Sequence, residues 1–134
     1  MIFLDTSAIY ALADARDPNH NRALELFRQA LEGGEAILTH NYVLVEAAAL
    51  LQHRSGLASA LQFLKEAEGF QVHWISPEDH RRAVGLLEER GKRELSLVDC
   101  VSFVVMRQHE VKLVLAFDPD FESEGFVLYS GTTE

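Results

Sequence analysis

A single cysteine stands in the 134 residues, so no internal disulfide can staple the chain and no thiolate cluster can hold zinc. Long apolar runs are missing too: nothing approaches the roughly 18 consecutive apolar residues that cross a bilayer. A secretory signal needs a basic start and then an apolar stretch, and Asp5 interrupts too early for that. No membrane association is therefore expected, and the lone thiol fits a reducing, cytoplasmic setting. Positive charge is scarce as well: 12 Lys and Arg face 21 Asp and Glu, a net charge of −9. Proteins that hold nucleic acid by bulk electrostatics are usually basic, so a polyanionic ligand here would need a local device to overcome repulsion. A basic protein partner is the other thing such a charge favours.

What is present is the composition of a globular domain, 48% hydrophobic and 25% charged. One domain over 1–134 is expected at this length. The pattern predicts strands at 1–4, 36–39, 70–75, 111–117 and 126–129, each a short apolar run. Between them lie helical stretches. The first runs from Thr6 to Ala13. The second is opened by Asp17 as cap and Pro18, with Ala23, Leu24, Phe27, Ala30 and Leu31 along one face. "YVLVEAAALLQH" follows a cap at Thr39 or Asn41, and "LASALQFLKEAE" comes after Gly56. Two more helices open at Ser76 and Ser96. Continuous apolar strands alternating with helices indicate an α/β fold, a parallel sheet of about five strands with helices on both faces. In such a sheet the ligand crevice lies beyond the carboxyl ends of the strands. Asp5 and Asp118 would both emerge there.

Four acidic residues lie inside or at the end of strongly apolar segments: Asp5 in "MIFLDTSAI", Glu46 in "YVLVEAAALL", Asp99 in "LSLVDCVSFVV" and Asp118 in "LVLAFDPDF". Three have an ordinary structural explanation. Asp5 can cap the helix after it, Asp99 follows Ser96 at capping-box spacing, and Asp118 in "DPD" can form a turn. Glu46 lies too deep in its helix to cap it, and an apolar stripe rarely holds a glutamate without a paired cation. None of the 12 Lys and Arg falls in these four stretches. Ionised carboxylates crowding one crevice would repel, and some would be forced to stay protonated. A cation from outside resolves this, and oxygen-only ligands favour Mg²⁺ or Mn²⁺ over zinc. The six histidines form no HExxH or i,i+4 pair. His40 comes nearest the proposed site and is expected at a solvent-facing helix entrance. Cys100 reads as core packing. Ser102, one turn beyond Asp99, can either bond a ligating oxygen or simply fill space.

The order "LDTS", "VLVEAAALL", "LSLVDCVSF", "LAFDPDF" resembles the PIN-domain nucleases, particularly the VapC-type toxins of prokaryotic toxin–antitoxin pairs, over nearly the whole chain. The resemblance implies a single PIN-like domain and a divalent-metal-dependent ribonuclease, the toxin of a type II toxin–antitoxin system. Asp5, Glu46, Asp99 and Asp118 match the family's catalytic and metal-binding acids. Asp5 and Asp99 would hold the principal ion. Glu46 would bridge or accept a proton, and Asp118 would bind directly or through water. Hydrolysis of the RNA phosphodiester would leave a 5′-phosphate. Thr6 or Ser7 matches the small hydroxyl residue that orients the first acid; Asp120 and Ser102 are further auxiliary candidates. One departure is Ala116, where the family often has a hydroxyl residue. The resemblance also implies a homodimer and a cognate antitoxin whose basic segment enters the acidic pocket.

Substrate contacts fall to Arg81, Arg82, Arg90, Lys92 and Arg93, unless these form a salt-bridged helix surface with Glu78, Asp79, Glu88, Glu89 and Glu94. Two other readings remain. A PIN-like protein could bind RNA or a partner without cutting, or the nuclease could serve RNA processing outside toxin–antitoxin biology. A dehalogenase-like phosphatase fits worse, because it needs a second Asp where Ser7 stands.

Overall fold

A computed structural model describes residues 1–131. Strand β1 (Ile2–Leu4) feeds α1 (Thr6–Ala13) and α2 (His20–Glu32). Then come β2 (Ile37–His40), α3 (Asn41–Ser55), α4 (Leu57–Glu66), a 3-10 turn (Ala67–Gly69) and β3 (Gln71–His73). The second half holds α5 (Pro77–Arg90), α6 (Leu97–Gln108), β4 (Leu113–Leu115), α7 (Asp120–Ser123) and β5 (Val127–Leu128). The strands are parallel, in the order β3-β2-β1-β4-β5. The chain leaves β1 toward β2 on one side and returns to β4 on the other. Strand order therefore reverses between β1 and β4, and the carboxyl edge opens at that point.

The central strands β1 and β2 form where they do because their residues are buried without interruption, and β4 adds Val114. Ile2, Phe3, Leu4, Leu38 and Val114 are completely enclosed, while the edge strands β3 and β5 are partly exposed. An aromatic cluster then fixes the second half of the chain on the sheet. Phe103 of α6 meets Phe121 of α7 edge-on at 5.1 Å, and Phe121 packs at 6.3 Å from Phe3 of β1. That contact chain sets the height at which the first turn of α6 and the β4–α7 loop stand above the sheet.

Several local expectations need correction. Asp17 does not cap α2: its carboxylate accepts the Asn19 N–H, forming a turn around Pro18, and the helix begins at His20. Leu26 takes the core position expected of its neighbours, while Leu24 and Leu31 stay about half exposed. The cap of α3 is neither Thr39 nor Asn41. Thr39 donates to the Leu4 carbonyl and Asn41 accepts from Ile75 N–H, while the His40 ring accepts from Val43 N–H. His40 is thus fully buried, not at a solvent-facing entrance. The two serine-opened helices are as expected, each with a complete capping box, Ser76–Asp79 and Ser96–Asp99.

Two polar clusters brace the periphery. Asp79 accepts from the Gln108 amide and lies 2.9 Å from His73 Nε2, while His73 Nδ1 lies 2.9 Å from His109 Nε2. Glu124, almost buried, receives Arg90 Nε at 2.7 Å and Arg107 Nη2 at 3.0 Å. The Arg90 guanidinium, with Arg107 behind it, holds the Glu124 carboxyl down at about 2. A depressed carboxylate stabilises the fold above its unfolded pKa and loses that contribution as pH falls through its folded value. Glu124→Gln is therefore expected to cost roughly 2–3 kcal/mol at pH 7. In urea titrations the gap to wild type should narrow as pH drops below about 4.5; a gap of constant size down to pH 3 would contradict the ion-pair account.

Candidate metal centre

Asp5 follows β1 directly and serves as N-cap of α1. Its Oδ2 accepts the Ser7 N–H at 3.1 Å and the Ser7 hydroxyl at 2.6 Å. The same hydroxyl accepts from Phe117 N–H at 3.0 Å. Ser7 thus ties the first acid to the loop after β4 and puts a hydroxyl at the neck of the Asp118 turn, where Ala116 lacks one. Thr6, between Asp5 and Ser7, has a buried hydroxyl with no hydrogen-bond partner among the described residues. An orphaned buried hydroxyl is costly unless it meets a ligand or water.

Asp99 sits in the first turn of α6, its carboxylate accepting Ser96 N–H at 3.0 Å. Asp118 accepts Asp120 N–H at 2.9 Å, a short turn that folds the second acid back over the first. Asp99, Asp118 and Asp120 thereby bring carboxylate oxygens to within 4.8 Å of one another, each side chain half-buried. Among the described residues none of the five acids, Glu46 included, forms an ion pair with Lys or Arg.

Electrostatics follow from that geometry. Burial pushes the Asp5 carboxyl up to about 6; the Ser7 bonds oppose the rise, and the charges of Asp99 and Asp118 add to it. Burial also raises Asp99, with Asp118 and Asp120 contributing, and raises Asp120, with Asp118 next in weight. The donor set fits a hard divalent ion. It consists of carboxylate oxygens alone, gathered within 4.8 Å of one another, the donor type that hard cations such as Mg²⁺ take. Among the described residues no histidine or thiol joins it. Cys100, next to Asp99, is fully buried in the core with its thiol pushed up to about 11 by that burial.

Glu46 lies midway along α3, half-buried and outside the 4.8 Å group. Ser102 turns away from the acids: its hydroxyl donates to the Val98 carbonyl and meets His40 Nε2 at 2.9 Å. The expected basic group divides. Arg82 pairs with Glu78, and Arg90 is engaged by Glu124 and Glu89. Arg81, Lys92 and Arg93 are exposed, and Lys92 is near enough to Asp120 to pull its pKa down against the rise. Asp120, expected only as an auxiliary ligand or the end of a turn, stands in the same close group as Asp99 and Asp118. Sequence reasoning missed the double engagement of His40, although a histidine ending an apolar strand before a helix was a usable signal.

The PIN domain family model matches residues 2–126. A Mycobacterium tuberculosis protein named 23S rRNA-specific endonuclease VapC20 is 35% identical over 129 residues, 95% of this chain and 96% of its own. Ribonuclease VapC26 of the same organism is 22% identical over 119 residues, 87% of this chain and 86% of its own. The crystal structure of M. tuberculosis VapC20, described there as a sarcin–ricin loop cleaving toxin, superposes with a TM-score of 0.84 at 32% identity. That match covers 95% of this chain and 97% of the other.

The raised Asp5 carboxyl has a measurable cost to the metal-free protein. Its folded pKa, about 6, exceeds the unfolded 3.8, so the fold binds the extra proton and loses stability as pH rises between those values. Asp5→Asn, which can still accept the Ser7 bonds, is expected to stabilise metal-free protein at pH 7.5 by on the order of 2–3 kcal/mol. Melting in EDTA across pH 4 to 8 checks this: the advantage should appear only above pH 4 and grow to pH 6.

Proposed function

This chain belongs to the PIN domain family, and on that premise we propose that it is a divalent-metal-dependent ribonuclease and the toxin of a toxin–antitoxin pair. The observation that carries the reading is the convergence of Asp99, Asp118 and Asp120, none of which forms an ion pair with Lys or Arg among the described residues. Beside it stand the relatives named as an rRNA endonuclease and a ribonuclease. In this reading Asp99 and Asp118 hold a Mg²⁺ or Mn²⁺ ion together with Asp5, and Asp120 completes the oxygen set. Bound there, the ion would supply positive charge that activates a water nucleophile and offsets charge on the phosphate. Thr6, whose buried hydroxyl lacks a partner among the described residues, would help hold Asp5 in place. Glu46, outside the three-acid group, would act as acceptor for a proton from the attacking water. Lys92, exposed next to Asp120, meets the RNA backbone.

This answers the question the net charge raised. An acidic protein can grip a polyanion where its own acids recruit the cations. The substrate proposed here is 23S rRNA, by extension from VapC20.

The antitoxin reading has support of its own. A groove of about 940 Å³ runs between α2 and α4, lined by Leu24, Phe27, Leu31, Phe63 and Phe70, with Glu35 and Glu66 on its walls. It suits an amphipathic segment with basic residues flanking an apolar face. The outward side of α4 presents Leu57, Leu61 and Leu64, and α3 adds Val45 and Leu50, all well exposed. That second surface is where a homodimer would form.

Two measurements test these proposals. Asp99→Asn should retain the fold and lose roughly 100-fold or more in cleavage of 23S rRNA fragments; EDTA should abolish wild-type cleavage and Mn²⁺ restore it. Metal-independent cleavage, or equal rates for the variant, would contradict the mechanism. In analytical ultracentrifugation the wild type should sediment as a dimer and Leu61→Lys as a monomer.

A further inference from the structure

His40 ends β2, two residues beyond the Phe3–Leu38 register pair, just as Asp5 lies two beyond Phe3 on the neighbouring strand. Its side chain is completely buried, and both ring nitrogens are engaged. Nδ1 accepts Val43 N–H at 3.2 Å, which closes the first turn of α3. Nε2 lies 2.9 Å from Ser102 Oγ, and that hydroxyl donates onward to the Val98 carbonyl at 3.0 Å. The pattern fixes the protons. Nδ1 must present a lone pair, so the ring hydrogen sits on Nε2 and is given to Ser102. The ring is therefore neutral, and burial holds its pKa down at about 3.

The elements this ring joins carry the candidate site. α3 bears Glu46, and α6 bears Asp99, one turn before Ser102. We propose that His40 is a positioning residue: a neutral strut between β2, α3 and α6 that sets where Glu46 and Asp99 stand relative to the bound ion. The inference rests on the metal-dependent reading above. An ordinary Ser, Asn or Asp cap would satisfy its own helix and reach no further. A Lys or Arg could span the gap, but its charge would pair with the acids and compete with the ion. An imidazole has an acceptor and a donor on opposite sides of a rigid ring, and in this tautomer adds no charge.

The test is a double-mutant cycle on the full chain with His40→Asn, Ser102→Ala and the pair. His40→Asn keeps an acceptor for the α3 cap but cannot reach Ser102; Ser102→Ala leaves the cap untouched. Mn²⁺ affinity is read by titration calorimetry and RNA cleavage by kcat and KM. Each single variant should weaken Mn²⁺ binding about 10-fold, the size typical of lost outer-shell support, and the double no further. At limiting Mn²⁺ kcat should fall with KM for RNA unchanged, and saturating Mn²⁺ should restore it. Wild-type affinity in the single variants, or losses that multiply in the double, would overturn the strut. If His40→Asn fails to fold, Ser102→Ala decides alone: weakened Mn²⁺ binding supports the strut and wild-type binding overturns it. A wild type that binds neither Mn²⁺ nor Mg²⁺ would instead remove the metal-dependent reading and the strut with it.

Discussion

The structure is organised around acids withdrawn from water without a basic partner. A carboxylate taken into a protein interior normally neutralises itself or finds an arginine. Glu124 does the second, gripped by Arg90 and Arg107, and its pKa falls. Asp5 moves toward the first: it keeps only the two Ser7 bonds, lies close to other acids, and its pKa rises toward the neutral form. The fold tolerates this because the tension is local and its supports are rigid: a β-strand end, a capped helix and a loop pinned by Phe121. Tension of this kind is relieved by a cation, and that is how the fold and the chemistry become one problem.

Connectivity does the assembling. Asp5 and Asp118 come from strands that are neighbours in space and far apart in sequence, joined at the point where strand order reverses. Ser7 then bridges the two sides through Phe117 N–H, so a single hydroxyl coordinates the ends of β1 and β4. Asp99 arrives from above on α6, seated by the aromatic packing of Phe103 against Phe121. Opposite the acidic crevice in charge but continuous with it in space, Lys92 offers the positive counterpart beside Asp120.

Much of this was legible in the sequence. Short apolar runs located the five strands, and "SPED" and "SLVD" located two helix starts to the residue. What the local pattern could not tell was the fate of identical motifs. Asp79 and Asp99 both close a capping box three residues after a serine. Asp79 also meets His73 and Gln108 and is driven down, despite its burial. Asp99 meets other acids and is driven up. Apart from His73, six residues before Asp79, those partners come from elements distant in sequence, so the capping motif itself does not distinguish the two. The same reason hid the engagement of His40 with Ser102, and the capture of Arg90 by Glu124, a glutamate from the far end of the chain. The misplaced face of α2 has a different origin: Leu24 and Leu31 share a helical stripe with Phe27, but they line a groove and do not enter the core.

Cys100 looked unremarkable beside Asp99, yet its enclosure has a practical corollary. A fully buried thiol, held protonated well above neutral pH, is closed to maleimides and to peroxide while α6 stays on the sheet. Because the chain has no second sulfhydryl, background labelling is negligible and cysteines can be introduced elsewhere at will. Slow modification of the native thiol then becomes a clock: its rate counts how often the helix carrying Asp99 swings open.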